Sequence, residues 1–104
     1  MSSNKETLDY VLTQIKDVEN IRWRKMMGEY LIYYKDKVVA GIYDDRFLVK
    51  RTPSSIELLP DAVEELPYEG AKPMLSMSDI IYDEHPDNYI LIRKVFTAIF
   101  QDIK

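Results

Sequence analysis

The sequence predicts an α+β fold: an antiparallel meander sheet of four to five strands packed with an N-terminal helix, a short middle helix and a long C-terminal helix. Near both ends of the chain, apolar residues recur every three or four positions, as in amphipathic helices. Between them, residues 21–51 form short runs rich in Tyr, Val and Ile, separated by turn-forming residues. With 104 residues and 46% hydrophobic content, a single domain over 1–104 is expected.

The first helix is expected from about Asn4 to Asp17. Ser3, followed by Glu6 three residues later, fits a capping box at its start. The apolar positions that recur at helical spacing are Leu8, Val11, Leu12, Ile15 and Val18.

Four antiparallel strands should follow in a meander. The predicted turns are Gly28-Glu29, Lys35-Asp36-Lys37 and Asp44-Asp45-Arg46. The predicted strands are Ile21 to Met27, Tyr30 to Tyr34, Val38 to Tyr43 and Phe47 to Arg51.

The middle of the chain predicts a short helix and then a loop. Thr52 is a good N-cap and Pro53 suits the first helical position, so a helix should run through Leu59 and stop at Pro60. The acidic segment 61–72 contains proline and glycine and is expected to be a surface loop. A fifth, shorter strand is expected at Met74, Leu75 and Met77.

The long C-terminal helix, expected after Asp83-Glu84-His85-Pro86, carries more apolar residues than one stripe needs. One stripe consists of Tyr89, Ile92, Phe96, Ile99 and Ile103. Four further residues widen the apolar face: Ile90, Leu91, Val95 and Phe100. Either the helix lies in a deep groove across the sheet, or these four residues form a homodimer interface.

Composition and charge exclude several function classes. The chain has no cysteine, so disulfides and cysteine-ligated metals are excluded. The N-terminus does not resemble a signal peptide, and no stretch approaches the ~20 apolar residues of a membrane span, so a cytoplasmic protein without membrane contact is expected.

The charge is divided unevenly along the chain. Residues 1–52 carry 10 Lys or Arg against 8 Asp or Glu, and residues 53–104 carry 4 against 10. The resulting net charge of −4 disfavours nucleic acid as the main partner.

No catalytic residue, cofactor or metal site is predicted. The chain has no glycine-rich phosphate loop and no nucleophile elbow. Asp44 and Asp45 are explained by a turn, and His85 is the only histidine, which makes a zinc site unfavourable. Tyrosines on adjoining strands leave open a small-molecule pocket, so enzyme activity stays uncertain.

Two strings suggest a partner surface. Arg24-Lys25-Met26-Met27-Gly28-Glu29-Tyr30 combines cations, a turn glycine and a carboxylate, and Pro67-Tyr68-Glu69-Gly70-Ala71-Lys72-Pro73 is a loop restricted by two prolines. Cross-strand pairing and loop anchoring explain both strings structurally, while a recognition surface is the functional alternative. The candidate residues for that surface are Arg24, Lys25, Glu29, Lys50, Tyr68 and Lys72.

These strings, together with Asp44-Asp45, Leu48-Val49-Lys50 and Leu58-Leu59-Pro60, resemble the TfoX N-terminal domain family. The resemblance covers Asn4 to about Asp79 and departs from the family at Met27, where an aromatic residue is common. The family is linked to bacterial competence regulation, and its small α/β domains often pair as homodimers. The resemblance thus implies a noncatalytic regulatory or protein-interaction module, acting as a homodimer and with another protein as a further partner. A small-molecule-binding protein or enzyme is one alternative, and a nucleic-acid-binding transcriptional regulator is a weaker one.

Overall fold

The computed structural model describes residues 5–16, 18–82 and 87–103. In these ranges, six strands form one antiparallel sheet in the order β1-β2-β3-β4-β6-β5. The elements are α1 (Lys5–Gln14), β1 (Ile21–Met26), β2 (Glu29–Tyr34), β3 (Lys37–Tyr43), β4 (Arg46–Val49), α2 (Pro53–Leu58), β5 (Glu64–Glu65), β6 (Met74–Ser76), α3 (Ser78–Tyr82) and α4 (Asn88–Ile103). The predicted α+β fold with an antiparallel sheet is confirmed.

Tight turns produce the meander of β1 to β4. Met27 and Gly28 have φ angles of 54° and 83°, and Asp44 and Asp45 have φ angles of 53° and 61°. Two consecutive residues with positive φ are typical of the type I′ turn, whose twist matches that of the flanking strands. The first turn therefore lies one residue before its predicted position, and Glu29 belongs to β2 instead.

Cross-strand partners project from the same face of a sheet and so define its two sides. Ile32 lies opposite Ala40, which lies opposite Val49, and all three are buried on the side that we call the inner face. The neighbouring register positions Leu31 and Gly41 lie on the opposite side, which we call the outer face.

The core lies between the inner face and the helices α1 and α4. Phe47 stacks on Phe96 with ring centroids 6.2 Å apart, and Tyr34 stacks on Phe100 at 4.0 Å. The α1 and α4 side chains buried in this core are Leu8, Val11, Ile92, Val95, Phe96, Ile99 and Phe100. Burial of each large apolar side chain contributes about 1.5–3 kcal/mol to folding.

Helix α2 begins as predicted. Thr52 Oγ1 accepts a hydrogen bond from the Ser55 amide at 3.2 Å, and the Thr52 amide donates to Ser55 Oγ at 2.8 Å, which completes a capping box. From α4, the Asp102 carboxylate accepts hydrogen bonds from the Ser54 amide at 2.8 Å and from its hydroxyl at 2.9 Å. The start of α2 is thereby tied to the last turn of α4.

Further details differ from the sequence prediction. The segment expected to be a loop contains β5, which pairs with β6 at the far edge of the sheet. Helix α3 was not predicted, and α1 ends at Gln14, three residues before the expected end. The predicted cap at Ser3 and the cluster 83–86, which includes His85, lie outside the described residues.

Candidate functional site: a groove on the outer face of the sheet

The outer face carries a groove of about 830 Å³ between the sheet and segment 67–73. Strand residues contribute an apolar surface made of Met26, Leu31, Val38, Tyr43 and Met74. Segment 67–73 contributes Pro67, Tyr68, Ala71, Lys72 and Pro73. The remaining lining residues are Met27, Glu29, Asp44, Lys50 and Arg51.

Tyr43 is buried at this groove, and its hydroxyl stays protonated over a wide pH range. Burial raises the pKa of Tyr43 to about 12, with further increases from Tyr68, Tyr33 and Glu29, in that order. Removing the phenol from water disfavours the phenolate, and nearby negative charge does the same. At neutral pH, Tyr43 therefore presents a neutral hydroxyl group, which can donate and accept hydrogen bonds.

Glu29 connects two turns beside the groove. Its Oε2 atom accepts a hydrogen bond from the backbone amide of Asp44 at 2.6 Å. Glu29 directly follows the β1–β2 turn, and Asp44 is the first residue of the β3–β4 turn. A charge-assisted hydrogen bond of this kind holds the two turns in a fixed relation.

Arg46 fixes the segment that encloses the groove. Its Nε donates to the Tyr43 carbonyl at 3.1 Å, its Nη1 contacts Glu65 Oε1 at 3.1 Å, and its Nη2 donates to the Pro67 carbonyl at 3.4 Å. One guanidinium group thus joins the β3–β4 hairpin, β5 and the start of segment 67–73. A second ion pair, between Arg51 and Glu64, is more exposed.

Sequence reasoning missed both Arg46 and Gly41. Two of the three partners of the Arg46 side chain, the Glu65 carboxylate and the Pro67 carbonyl, lie 19 and 21 residues away, so no local pattern marks them. Gly41 lies within a predicted strand, where glycine often marks a close backbone approach, and this was the signal that could have identified it.

The structure brings together four of the six residues predicted for a partner surface. The four that line the groove are Glu29, Lys50, Tyr68 and Lys72. Arg24 lies opposite Leu31, on the same face of the sheet but on the edge strand β1. Lys25 points to the other side, where its Nζ atom lies 6.0 Å from the ring centroid of Tyr30. Lys25 is thus separated from the groove.

The four residues predicted for a dimer interface differ in how far they are buried. Val95 and Phe100 are buried in the core of the chain itself, which accounts for two of the supposedly surplus apolar residues. Leu91 is partly buried against that core, whereas Ile90 is 41% exposed. Ile90 borders a shallow depression between α2 and α4, which Leu58 and Tyr89 also line.

The described part of the chain shows no metal centre and no membrane span. Within residues 5–16, 18–82 and 87–103, no group of three or more His, Cys, Asp or Glu could hold a metal ion. Over the same ranges, no helix is long and apolar enough to cross a membrane. The described residues also include no buried side-chain polar atom without a hydrogen-bond partner.

A model of the TfoX N-terminal domain family matches residues 13–98, a range that contains all six strands and the whole groove. This chain belongs to the TfoX N-terminal domain family. It is also similar to an uncharacterized 12.7 kDa protein in the trpE 5′ region of Spirochaeta aurantia. The two are 29% identical over 99 residues, which cover 95% of this chain and 85% of that protein. No solved structure matches the chain significantly.

Proposed function

We propose that this TfoX N-terminal domain is a noncatalytic regulatory module that binds a segment of another protein in the outer groove. The observation that supports this role is the composition of the groove, which combines an apolar sheet surface with exposed cations and an aromatic wall. The link between the family and competence regulation favours a regulatory role over a metabolic one.

The exposed apolar residues of the groove favour a protein partner. Tyr68 is 66% exposed and Met27 is 96% exposed, although both are large apolar side chains. Exposed apolar patches are commonly interaction sites, and tyrosine and methionine are both enriched at protein interfaces. A partner that covers Tyr68 and Met27 would remove their apolar surface from water.

The charged residues indicate the chemistry of that partner. Lys50 and Lys72 are exposed lining residues of the groove. Arg51 is already paired with Glu64, so it contributes less to recognition. The partner segment should accordingly carry apolar residues for the sheet surface and acidic residues near the two lysines.

Site-specific cross-linking tests the groove directly. A photoreactive residue in place of Lys72 should capture the partner, whereas the same residue in place of Lys16, which is exposed and lines neither the groove nor the α2–α4 depression, should not. The identified partner is then purified, and its affinity is measured by calorimetry. Tyr68→Ala should weaken binding about tenfold or more, because interface tyrosines often dominate affinity.

A control variant tests whether the loss of affinity is specific to Tyr68. Tyr10 is an exposed tyrosine on α1, and Tyr10→Ala should leave the affinity unchanged. Equal capture from Lys72 and Lys16, or equal affinities of the Tyr68→Ala variant and the unaltered protein, would refute groove binding.

A small molecule is a second candidate occupant. The groove volume of about 830 Å³ lies within the range of roughly 300–1,000 Å³ that is usual for ligand sites. The neutral hydroxyl of Tyr43 supplies a polar group beside apolar walls. A metabolite that raises the melting temperature should lose this effect in Tyr43→Phe and keep it in Tyr10→Phe.

A homodimer is the remaining part of the proposal. Leu58, Tyr89 and Ile90 are exposed apolar residues on the adjoining helices α2 and α4, and they support a self-association surface there. Light scattering should give twice the chain mass for the unaltered protein and the monomer mass for Ile90→Glu, with unchanged circular dichroism. A monomer in the unaltered protein at micromolar concentration would rule out this dimer.

A further inference from the structure

Strand β1 is the long free edge of the sheet. It spans Ile21–Met26 and pairs with β2, and no other strand in the described ranges lies beside it. The opposite edge is β5, which has only two residues. A strand of six residues offers an edge of about 20 Å with unpaired backbone groups, which can hydrogen-bond to an added strand.

The side chains of β1 are exposed on both sides of the sheet. Arg22 and Arg24 lie opposite Tyr33 and Leu31 and so project from the outer face. Trp23 projects from the other side, where its ring contacts that of Tyr30 at a centroid distance of 5.8 Å, yet Trp23 remains 41% exposed. An added strand would therefore find side chains to contact on both faces.

All charged side chains of β1 are basic. The strand contains Arg22, Arg24 and Lys25 and no acidic residue. Among the residues that the structure describes, none of these cations takes part in an ion pair. Charged edge strands commonly prevent self-association, and here a second copy of β1 would place cation against cation. The same charge attracts an acidic strand.

We propose that β1 binds an extended, acidic segment of another protein as a seventh strand of the sheet. Alternate residues of an added strand project from opposite faces. Acidic residues of such a segment can therefore contact Arg22 and Arg24 on one side and Lys25 on the other. A phosphate backbone would require cations concentrated on one surface, whereas these three are divided between two faces. This inference does not depend on an occupant of the outer groove.

Three matched peptides test the proposal. The probe is a fluorescein-labelled seven-residue peptide in which Glu alternates with Thr. The first control replaces every Glu with Lys, and the second carries N-methyl groups at alternate backbone amides. Fluorescence anisotropy should detect binding of the Glu peptide, and each control should bind at least about tenfold more weakly. Hydrogen exchange should slow at the β1 amides when the Glu peptide is bound.

Charge reversal on the protein completes the test. Arg22→Glu combined with Arg24→Glu should reverse the preference, so that the Lys peptide binds more tightly than the Glu peptide. Arg93→Glu combined with Lys94→Glu makes the same change in net charge on α4 and should leave the preference unaltered. Tyr68→Ala should also leave peptide binding unaltered, which separates this surface from the groove.

Several results would overturn the proposal. Equal affinity for the N-methylated peptide would show that backbone pairing is not involved. Competition by a single-stranded oligothymidylate at similar concentration would assign the edge to nucleic acid instead. Protein association through β1, detected as a doubled mass that persists in Ile90→Glu together with slowed hydrogen exchange at the β1 amides, would assign the edge to a second copy. If the Glu peptide does not bind at millimolar concentration, the proposal is wrong, and the cations serve only to prevent self-association of the edge.

Discussion

The ring of Tyr43 lies directly over Gly41, two residues earlier in β3. A Cβ atom at position 41 would lie only 2.4 Å from Tyr43 Cε2 and 2.6 Å from Cζ. Carbon atoms make favourable contacts at about 3.5–4.0 Å, so no side chain fits between this ring and the strand. The absence of a side chain at Gly41 therefore permits the ring position of Tyr43 at the groove.

Gly41→Ala should lower the free energy of unfolding by about 1–3 kcal/mol, because the new methyl group forces the ring or the strand to move. Urea denaturation measures this change. In a Tyr43→Ala background, the steric penalty should disappear, since the ring is no longer there. A penalty that is the same in both backgrounds would show that contact with Tyr43 is not its cause.

Stability should fall at alkaline pH because of Tyr43. The folded chain holds the phenolic proton up to a pKa of about 12, whereas the ordinary value is 10.0. The folded state therefore binds more protons between these values, and the free energy of unfolding decreases as pH rises from 10 to 12, by an amount on the order of 2 kcal/mol. Tyr43→Phe should lack this component, and the difference between the two pH profiles isolates it. Parallel profiles over that range would contradict the assignment.

Arg46→Lys should destabilise the fold and loosen segment 67–73. Lysine cannot reproduce the three-point contact with Tyr43, Glu65 and Pro67, so we expect a loss of about 1–2 kcal/mol in the free energy of unfolding. Hydrogen exchange in segment 67–73 should become faster. Arg51→Lys is the matched control, because its ion pair with Glu64 is exposed, and its effect should stay within about 0.5 kcal/mol. Equal losses of unfolding free energy in the two variants would show that the three contacts of Arg46 stabilise the fold no more than one exposed ion pair does.

Asp102 should stabilise the contact between α2 and α4 only when it is ionised. The hydrogen bond from the Ser54 amide, with further hydrogen bonds from Thr52 and Ser54 side chains, lowers the pKa of Asp102 below its usual value of 3.8. This stabilisation is fully present above pH 3.8 and is lost as pH falls through the folded-state pKa. Asp102→Ala should lower the melting temperature at pH 7, and the difference from the unaltered protein should shrink in acid.

Glu57 supplies the comparison for Asp102. It is an exposed carboxylate on α2, and Glu57→Ala should change the melting temperature little at either pH. An Asp102→Ala effect that does not depend on pH would mean that the carboxylate charge has no part in the contact.

Local sequence patterns predicted the regular elements because their causes lie within a few residues. The Thr52-Pro53 pair encodes the start of α2, and the Asp44-Asp45 pair encodes a turn with positive φ. Errors arose where a local pattern was weak. The two-residue strand β5 depends on its pairing with β6. The first turn was predicted at Gly28-Glu29, one residue after its actual position at Met27–Gly28.

The candidate site could be predicted only in part. Glu29, Tyr68 and Lys72 belong to the two family-like strings at 24–30 and 67–73, Lys50 ends the string Leu48-Val49-Lys50, and all four line one groove. Lys25 was selected with them, but strand alternation places it on the other face. Alternation along β1 predicts that Arg24 and Lys25 face opposite sides, but only the structure shows which side carries the groove.

The sequence by itself determined the fold class, because periodicity, caps and hairpin turns are properties of neighbouring residues. It also indicated the family through strings such as Arg24-Lys25-Met26-Met27-Gly28-Glu29-Tyr30, and the family model confirms that resemblance. Only the tertiary structure decided which surfaces remain available. Val95 and Phe100 became core residues through contact with a sheet distant in sequence, and Arg46 fixed the segment that encloses the groove by bonding to Glu65 and Pro67. Such contacts arise from the packing of the whole chain, since each depends on the relative positions of elements that no local segment specifies.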